Sequence, residues 1–265
     1  MKLLRKMISN PRKCPNCGSS NIKKIHTYKN QDVYEEKILI FYNKSSPKKR
    51  LWLVCKNCNF HFSNYLLFKK DVMKKIYKKL YRNITPKNIH NFEKFIKLPL
   101  KKSMNKQRVI FLKKNINELH EKKILKFSSG NHLDIGAGSG IFSILFKDKN
   151  WSSDALDVTN ENLLSKKFNI KYYTKDILKL KKPFQNRKYN LITIIDTLEH
   201  VKNFSRFLIN IKKYILHKNG LIFIDCPGNF NFNRKKMSND IFNSCHYSMW
   251  CATSFSFLAN KLALK

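Results

Sequence analysis

The sequence has few acidic residues, few glycines and no long apolar run. Its 265 residues include 17 Asp and Glu against 54 Lys and Arg, a formal net charge of +37. Apolar runs such as Leu191–Ile195 and Leu221–Ile224 are far shorter than the roughly 20 residues that span a bilayer. The basic start of the chain lacks the sustained apolar stretch of a signal peptide. These absences predict a cytoplasmic protein with reduced cysteines and no membrane span.

The excess of positive charge allows two interpretations. A nucleic acid or another polyanion as partner would explain it. The lysines are nevertheless spread over the whole chain and accompany many Asn, Ile, Phe and Tyr residues, which favours a drift in overall composition. RNA therefore stays an open alternative as partner, and charge by itself does not decide it.

The chain divides into three stretches by pattern. Residues 1–65 carry two cysteine pairs, and residues 66–104 form a lysine-rich helical linker. In that linker we predict a helix near residues 66–80 and a break at Ile84–Pro99, where two prolines occur. A helix near Asn105–Leu125 opens the third stretch, residues 105–265.

Short apolar strands then alternate with helical segments. The predicted strands are His132–Ile135, Ala155–Val158, Ile170–Tyr173, Leu191–Ile195 and Leu221–Ile224. The predicted helices between them are Gly140–Phe146, Glu161–Phe168 and Phe204–Leu216. This alternation predicts an α/β domain with a doubly wound parallel sheet and right-handed crossovers.

The few glycines are clustered. Four of the seven lie at positions 130, 136, 138 and 140, within and just before the segment HLDIGAGSG (132–140). This segment runs from a predicted strand through a glycine turn into a helix, where a ligand can approach the backbone closely. Its spacing differs from the dinucleotide fingerprint GxGxxG, because the third glycine comes one residue early. Taken alone, the segment could be no more than a tight turn.

Acidic residues accompany the ends of the predicted strands, although the chain has few of them. They are Asp134, Asp157, Asp176, Asp196 and Asp225. Ligands of open α/β sheets bind at the carboxyl ends of the strands. A carboxylate at Asp157 could accept hydrogen bonds from both hydroxyls of an adenosine ribose. A carboxylate at Asp176 could accept from an adenine amino group, with Ile177 packed on the ring.

Four segments together resemble class I S-adenosylmethionine-dependent methyltransferases. They are LDIGAGSG (133–140), ALDVT (155–159), KDI (175–177) and YNLITIIDTLEHV (189–201). The last resembles the fourth-strand motif of ubiquinone-biosynthesis O-methyltransferases and of bacterial sugar and cell-surface methyltransferases. The likeness covers about residues 105–258 and implies a Rossmann-like domain that binds S-adenosylmethionine. The cofactor-binding residues that it implies are Asp134, Gly136, Ala137, Gly138, Gly140, Asp157, Val158, Asp176, Ile177, Asp196 and Leu198.

Candidate proton acceptors for methyl transfer follow the fourth and fifth predicted strands. Glu199 and His200 come directly after the fourth strand, and His246 comes after the fifth. In the resembling O-methyltransferases these acidic and histidine positions lie near the substrate, in some cases near a divalent metal. The alternatives are that His200 packs against the following helix and that His246 is an ordinary loop residue.

The two cysteine pairs predict a metal site. Cys14-Pro-Asn-Cys17 and Cys55-Lys-Asn-Cys58 are two CxxC knuckles, and four thiolates at this spacing can surround one tetrahedral zinc ion. Such a closed four-sulfur site is structural, so we predict a small zinc ribbon at residues 1–65. Redox-active dithiols are the alternative. His26 and His61 could also bind a metal, but we do not predict them as zinc ligands.

The sequence stops at Ala259–Lys265, inside the helix that usually precedes an antiparallel hairpin in these enzymes. We therefore expect five parallel strands without the hairpin, and a protein partner over the exposed sheet edge is one explanation. The predicted function is methyl transfer to a small-molecule or sugar acceptor, with cell-surface polysaccharide synthesis as one setting. The alternatives are an RNA methyltransferase and a non-catalytic, cofactor-binding or degenerate protein.

Overall fold

The computed structural model describes residues 12–28, 50–63, 89–158, 166–228 and 246–264. The strands in these residues are β1 (Ile22–Tyr28), β2 (Arg50–Cys55), β3 (His61–Ser63), β4 (Gly130–Ile135), β5 (Trp151–Asp157), β6 (Tyr172–Thr174), β7 (Tyr189–Ile195), β8 (Leu216–Asp225) and β9 (Ser248–Met249). The α-helices are α1 (Ile89–Lys97), α2 (Met104–Glu121), α3 (Ile141–Phe146), α4 (Phe204–Tyr214) and α5 (Ala252–Lys261). No helix in these residues is long and apolar enough to cross a bilayer.

The chain separates into two compact units, and neither is continuous in sequence. The first, which we call the knuckle unit, combines residues 1–73 with 196–208 and 226–265. The second, the sheet unit, combines residues 74–195 with 209–225. The domain boundaries predicted from the sequence, at residues 65 and 104, divide the chain instead into three consecutive segments. These boundaries stay a prediction.

The sheet unit contains a parallel sheet with strand order β6-β5-β4-β7-β8. The chain proceeds outward from β4 to β6 and then returns to place β7 on the other side of β4. The strand order therefore reverses between β4 and β7, and such a switch point is where open α/β sheets bind ligands. The predicted Rossmann-like α/β fold is confirmed, and among the described residues this sheet has five strands, all parallel.

Apolar side chains on both faces explain why these strands form. Leu191, Ile192 and Ile194 of β7 are fully buried, as expected for a parallel strand that is covered on both sides. On one side the buried face of α2 repeats at helical spacing through Val109, Leu112 and Ile116. This face packs in one cluster with Phe142 and Phe146 of α3, Trp151 of β5 and Leu191.

A helix lies within the stretch Ile84–Pro99, which was predicted to end the helix near residues 66–80. Helix α1 occupies Ile89–Lys97 and ends before Pro99. The predicted break itself cannot be compared, because Pro86 and residues 64–88 lie outside the described residues. Phe92 and Ile96, four residues apart on α1, pack against Ile141. The helix predicted near residues 66–80 and most of Glu161–Phe168 lie outside the described residues.

The knuckle unit contains an antiparallel sheet with strand order β1-β2-β3-β9. Its fourth strand comes from a distant part of the chain, since Phe62 of β3 pairs with Ser248 of β9. An aromatic core accompanies this sheet: Phe60 lies 4.5 Å from Trp250 and 5.3 Å from Phe204 between ring centroids. Both Phe60 and Trp250 are almost completely buried. The sequence did not predict this pairing.

Candidate functional site

The glycine loop lies at the switch point of the parallel sheet, between β4 and α3. Gly136, Gly138 and Gly140 have φ values of 80°, 53° and 78°, in the left-handed region that other residues rarely adopt. The amides of Gly136 and Ala137 donate to the carbonyl of Leu156 at 2.8 and 3.1 Å, which fixes the loop to the end of β5. The loop backbone therefore has one defined shape.

Asp157, the last residue of β5, closes this loop. The Gly138 amide donates to Asp157 Oδ2 at 3.0 Å, and the Tyr172 hydroxyl donates to the Gly138 carbonyl at 2.5 Å. A Cβ built on Gly138 would meet no other atom within 4 Å. One side of the loop is thus bonded to protein while the other faces open space, as a loop that admits a ligand requires. Tyr172 was not predicted from the sequence, because an aromatic residue that follows a loop has no distinctive spacing.

Asp134 lies in a buried chain of hydrogen bonds and not at the surface of the loop. Thr193 Oγ1 donates to Asp134 Oδ1 at 2.6 Å, His132 Nε2 lies 2.9 Å from Thr193 Oγ1, and His132 Nδ1 lies 2.8 Å from Ser153 Oγ. When Asp134 is ionised, it accepts the hydrogen bond of the Thr193 hydroxyl, so His132 donates to Thr193 through Nε2 and accepts from Ser153 through Nδ1. The sequence pointed to Asp134 but not to its three buried partners.

Burial shifts the two titrating groups of this chain in opposite directions. Desolvation raises the pKa of Asp134 from 3.8 to about 7, and the charge of Asp157 adds to this rise. Desolvation lowers the pKa of His132 from 6.5 to about 3, so the ring is neutral when folded. Asp134 is therefore part of a buried hydrogen-bond network and not a solvated carboxylate.

The buried His132 makes the free energy of unfolding depend on pH, and a substitution at this position can isolate its contribution. Its contribution to stability is fully present above pH 6.5 and is lost as pH falls toward 3, because only the unfolded chain then binds the proton. The difference in unfolding free energy between wild type and His132→Gln should shrink by about 1.4 kcal/mol for each pH unit below 6.5. Urea titrations from pH 5 to pH 8 measure it. A difference that stays constant over this range would contradict the assignment.

Asp176 and Ile177, predicted for the adenine side, lie after β6, and Val158 follows β5. Asp176 Oδ1 accepts from the Leu178 amide at 3.0 Å and so caps the short 3₁₀ turn Ile177–Lys179. Ile177 is buried, and its carbonyl accepts from the Asn210 side chain at 2.8 Å. Val158 is 39% exposed, which is unusual for its type. These contacts fix the positions of Asp176 and Ile177 but do not test their roles.

The three candidate catalytic residues meet in the knuckle unit. Glu199 and His200 lie in the 3₁₀ turn Leu198–His200, directly after β7 in sequence. The ring centroids of His200 and His246 are 4.7 Å apart, and Glu199 Oε1 lies 3.8 Å from His200 Nε2. Glu199 is 1% and His246 9% exposed. One carboxylate and two imidazoles whose donor atoms lie within 4.8 Å of one another can share a proton, and they are also a donor set for a divalent cation.

Asp196 and Leu198, predicted to line the cofactor pocket, belong to the same unit as these three residues. Asp196 is exposed and has a φ of 46°, which marks a sharp turn at the end of β7. Leu198 is completely buried. Asp225, at the end of β8, forms an ion pair with Arg108 at 2.7 Å.

The four cysteines of the two knuckles converge as the sequence predicts. Cys14 Sγ lies 3.8 Å from Cys58 Sγ, and Cys17 Sγ lies 3.5 Å from Cys55 Sγ, with all four thiols free. The Gly18 amide donates to the Cys14 carbonyl at 2.9 Å and closes the first turn. His61 is directed elsewhere, since its Nδ1 lies 3.0 Å from the Asn59 carbonyl. The side chain of His26 lies outside the described residues.

The geometry of this cluster fits zinc. Four sulfurs at about 2.3 Å from a tetrahedral ion would lie about 3.8 Å apart, close to the separations between these thiols. Burial raises the pKa of the Cys14 thiol to about 11, so an ion must displace protons in order to bind. We propose Cys14, Cys17, Cys55 and Cys58 as the ligands of one structural zinc ion.

Purified protein should contain one zinc ion per chain. Cys58→Ser should lower the zinc content to less than about 0.1 ion per chain, because the three remaining thiolates hold the ion far more weakly. Elemental analysis after gel filtration measures the content. Cys226→Ser is the matched control, since Cys226 lies outside the knuckles and forms no disulfide. Zinc retained in Cys58→Ser, or absent from the wild type, would exclude the site.

Known proteins resemble this chain along the region just described. The sequence model of a family described as Methyltransferase domain matches residues 104–261. A ubiquinone biosynthesis O-methyltransferase of Glaesserella parasuis serovar 5 (strain SH0165) is 29% identical over 161 residues, which are 54% of this chain and 64% of that protein. The chain thus spans less than two thirds of the length of this relative.

Solved structures show likeness at lower identity. The Burkholderia thailandensis 1,6-didemethyltoxoflavin-N1-methyltransferase is 12% identical with a TM-score of 0.46, over 77% of this chain and 84% of that chain. The plantazolicin methyltransferase BpumL is 16% identical with a TM-score of 0.49, over 73% of this chain and 76% of that chain. Because the family match covers more than half of the sequence, the chain belongs to the methyltransferase domain family, and the predicted resemblance to class I S-adenosylmethionine-dependent methyltransferases is confirmed.

Proposed function

We propose that the protein transfers the methyl group of S-adenosylmethionine to a small-molecule acceptor. The observation that carries the proposal is the glycine loop at the switch point, bonded on one side to Asp157 and open beside Gly138. A methyl donor with an amino-acid tail and a ribose needs both a closely approachable backbone and a carboxylate at the end of the next strand. The loop and Asp157 supply these two features.

The implied cofactor residues of the sheet unit have separate roles in this proposal. Gly136, Ala137, Gly138 and Gly140 surround the methionine part of the cofactor, and Asp134 lies buried in the strand that leads into them. Asp157, at the end of β5 beside the glycine loop, accepts hydrogen bonds from the ribose hydroxyls. Val158 contributes to the ribose side, and Asp176 and Ile177 hold the adenine.

Proton removal from the acceptor is the chemical task left to the protein. S-adenosylmethionine, when bound, supplies a methyl group on a positively charged sulfur that leaves as a neutral thioether. As the acceptor oxygen bonds to this methyl, its proton passes to an imidazole of the His200–His246 pair. The Glu199 carboxylate, 3.8 Å from His200 Nε2, stabilises the imidazolium that results.

A hydroxyl is the acceptor class that we favour. The pairing of a carboxylate with two imidazoles suits an acceptor that must lose a proton as it is methylated. The named relative is an O-methyltransferase, which supports the same choice. A sugar hydroxyl, with cell-surface polysaccharide synthesis as the setting, belongs to this class and remains part of the proposal.

Calorimetry followed by label transfer tests the function. Zinc-loaded protein should bind S-adenosylmethionine and S-adenosylhomocysteine with one site per chain. It should then move a labelled methyl group into the small-molecule fraction of a metabolite extract. Absence of binding to both nucleosides would remove the methyltransferase proposal. Binding without transfer to any pool would instead favour a non-catalytic, cofactor-binding protein.

The charge of the chain favours RNA as a second acceptor class. With 54 basic against 17 acidic side chains, non-specific RNA affinity should fall steeply as salt rises. Label transfer to total RNA, compared with transfer to metabolites under the same conditions, distinguishes the two classes. Methylated RNA with unlabelled metabolites would overturn the small-molecule proposal.

A further inference from the structure

The antiparallel sheet of the knuckle unit runs from the second cysteine pair to the segment that holds His246. Cys55 is the last residue of β2, and Cys58 lies in the turn that joins β2 to β3. β3 then pairs with β9 through His61–Met249 and Phe62–Ser248. Strand β9 begins two residues after His246. The turn that would hold the metal therefore adjoins the strand that holds the His246 segment.

The backbone of Tyr247 joins three separate segments. Its carbonyl accepts from the Ser63 amide of β3 at 2.9 Å, and its amide donates to the Glu199 carbonyl at 2.7 Å. Tyr247 lies between His246 and β9 in sequence. The position of His246 relative to Glu199 is therefore set through a hydrogen-bonded path from the end of β3.

The first knuckle is tied to the same region by side chains. Asn16, between Cys14 and Cys17, is completely buried. Its side-chain amide donates to the Ser254 carbonyl of α5 at 2.9 Å, and its main-chain carbonyl accepts from Lys261 Nζ at 3.0 Å. Helix α5 follows β9 after two residues, so both knuckles are attached to the β9–α5 segment.

Aromatic packing forms a third connection. Phe60, two residues after Cys58, packs against Trp250 and Phe204, and these two rings lie 4.9 Å apart. Phe204 starts α4, four residues after His200. Burial of these rings excludes water from the space between the second knuckle and the segments on both sides of the histidine pair.

We propose that the metal held by the four cysteines positions His246 against Glu199 and His200. The knuckles are then a positioning element of the acceptor-side residues and not a separate nucleic-acid-binding module. This inference rests on the proposed function for the meaning of the histidine pair. The cysteines act only through the β3–β9 pairing, Tyr247 and the aromatic core, and none of them takes part in the reaction.

The test follows the histidine pair itself and not turnover. In protein with labelled histidines, the zinc-loaded form should show a nuclear Overhauser contact between the His200 and His246 rings. Removal of zinc by a chelator should abolish this contact and increase exchange of the Tyr247 amide about 100-fold; zinc addition should restore both. Persistence of both signals in zinc-free protein would overturn the inference.

A substitution separates this path from general unfolding. Tyr247→Pro removes the amide that bonds Glu199 and leaves the cysteines in place, so it should retain zinc but lose the ring contact. Tyr247→Ala keeps the amide and should retain both. A ring contact that survives in Tyr247→Pro would contradict the inference. Failure of the proposed function is a different result, because zinc-loaded protein would then show the ring contact but bind no S-adenosylmethionine.

Discussion

Replacement of Asp157 by alanine is expected to weaken S-adenosylmethionine binding at least 100-fold. Two charge-assisted hydrogen bonds to ribose are each worth about 1.5–3 kcal/mol, and tenfold in affinity corresponds to about 1.4 kcal/mol. The substitution also removes the acceptor of the Gly138 amide, so the loop loses the bond that fixes it to β5. Calorimetry with the cofactor and with S-adenosylhomocysteine measures the loss for both.

Two further variants make this prediction specific. Glu118→Gln changes an exposed acid on α2 that pairs only with Lys114 among the described ion pairs, and it should bind the cofactor like the wild type. Gly138→Ala adds a methyl group where the free protein has room, so its stability should fall by only about 1 kcal/mol from the left-handed φ. The free energy of cofactor binding should weaken by more than this loss of stability. Wild-type affinity in Asp157→Ala would exclude the proposed ribose contact.

Replacement of His246 by alanine is expected to lower methyl transfer by about 100-fold to 10,000-fold, the usual contribution of general acid–base catalysis. Cofactor affinity should stay within about twofold, because the glycine loop and Asp157 belong to the sheet unit. Glu199→Gln preserves the size of a side chain that is 1% exposed but removes its charge. It should therefore slow transfer by at least tenfold. Label transfer into the metabolite fraction, with calorimetry alongside, measures both quantities.

The control for these substitutions is His90→Ala, which removes a histidine whose side chain is 77% exposed on α1. It should transfer methyl groups at the wild-type rate. Equal turnover in wild type, His246→Ala and His200→Ala would remove the histidine pair from the mechanism. Lower cofactor affinity in His246→Ala would instead indicate that the residue contributes to binding.

Local signals in the sequence were enough to predict much of the fold and part of the site. The apolar strands, the glycine turn and the two CxxC knuckles each depend on residues that are close in the chain. The knuckle turns illustrate this, because the Gly18–Cys14 hydrogen bond spans four residues. The strand ends were less accurate: β8 begins at Leu216, five residues before the predicted Leu221, because exposed Lys218 and Asn219 hide its apolar pattern.

The contacts that the sequence did not predict join residues far apart. His132 and Thr193 are 61 positions apart, and in sequence each is only a polar residue inside a strand. Strand β9 has two residues, too few for a period-two pattern. Its pairing with β3 depends on tertiary contacts such as Phe60 with Trp250. Such pairings cannot be derived from local propensity, since the energy that selects them comes from the shared core.

The pairing of Phe62 with Ser248 also has a consequence for synthesis on the ribosome. These partners are separated by 186 positions, which at roughly 5–20 residues per second is a delay on the order of 10 to 40 seconds. During this interval the nascent chain presents the edge of β3 before β9 has been translated, and an unpaired strand edge can join other chains. Early capture of zinc by the first 58 residues would hold this edge in a defined, short form until translation reaches its partner.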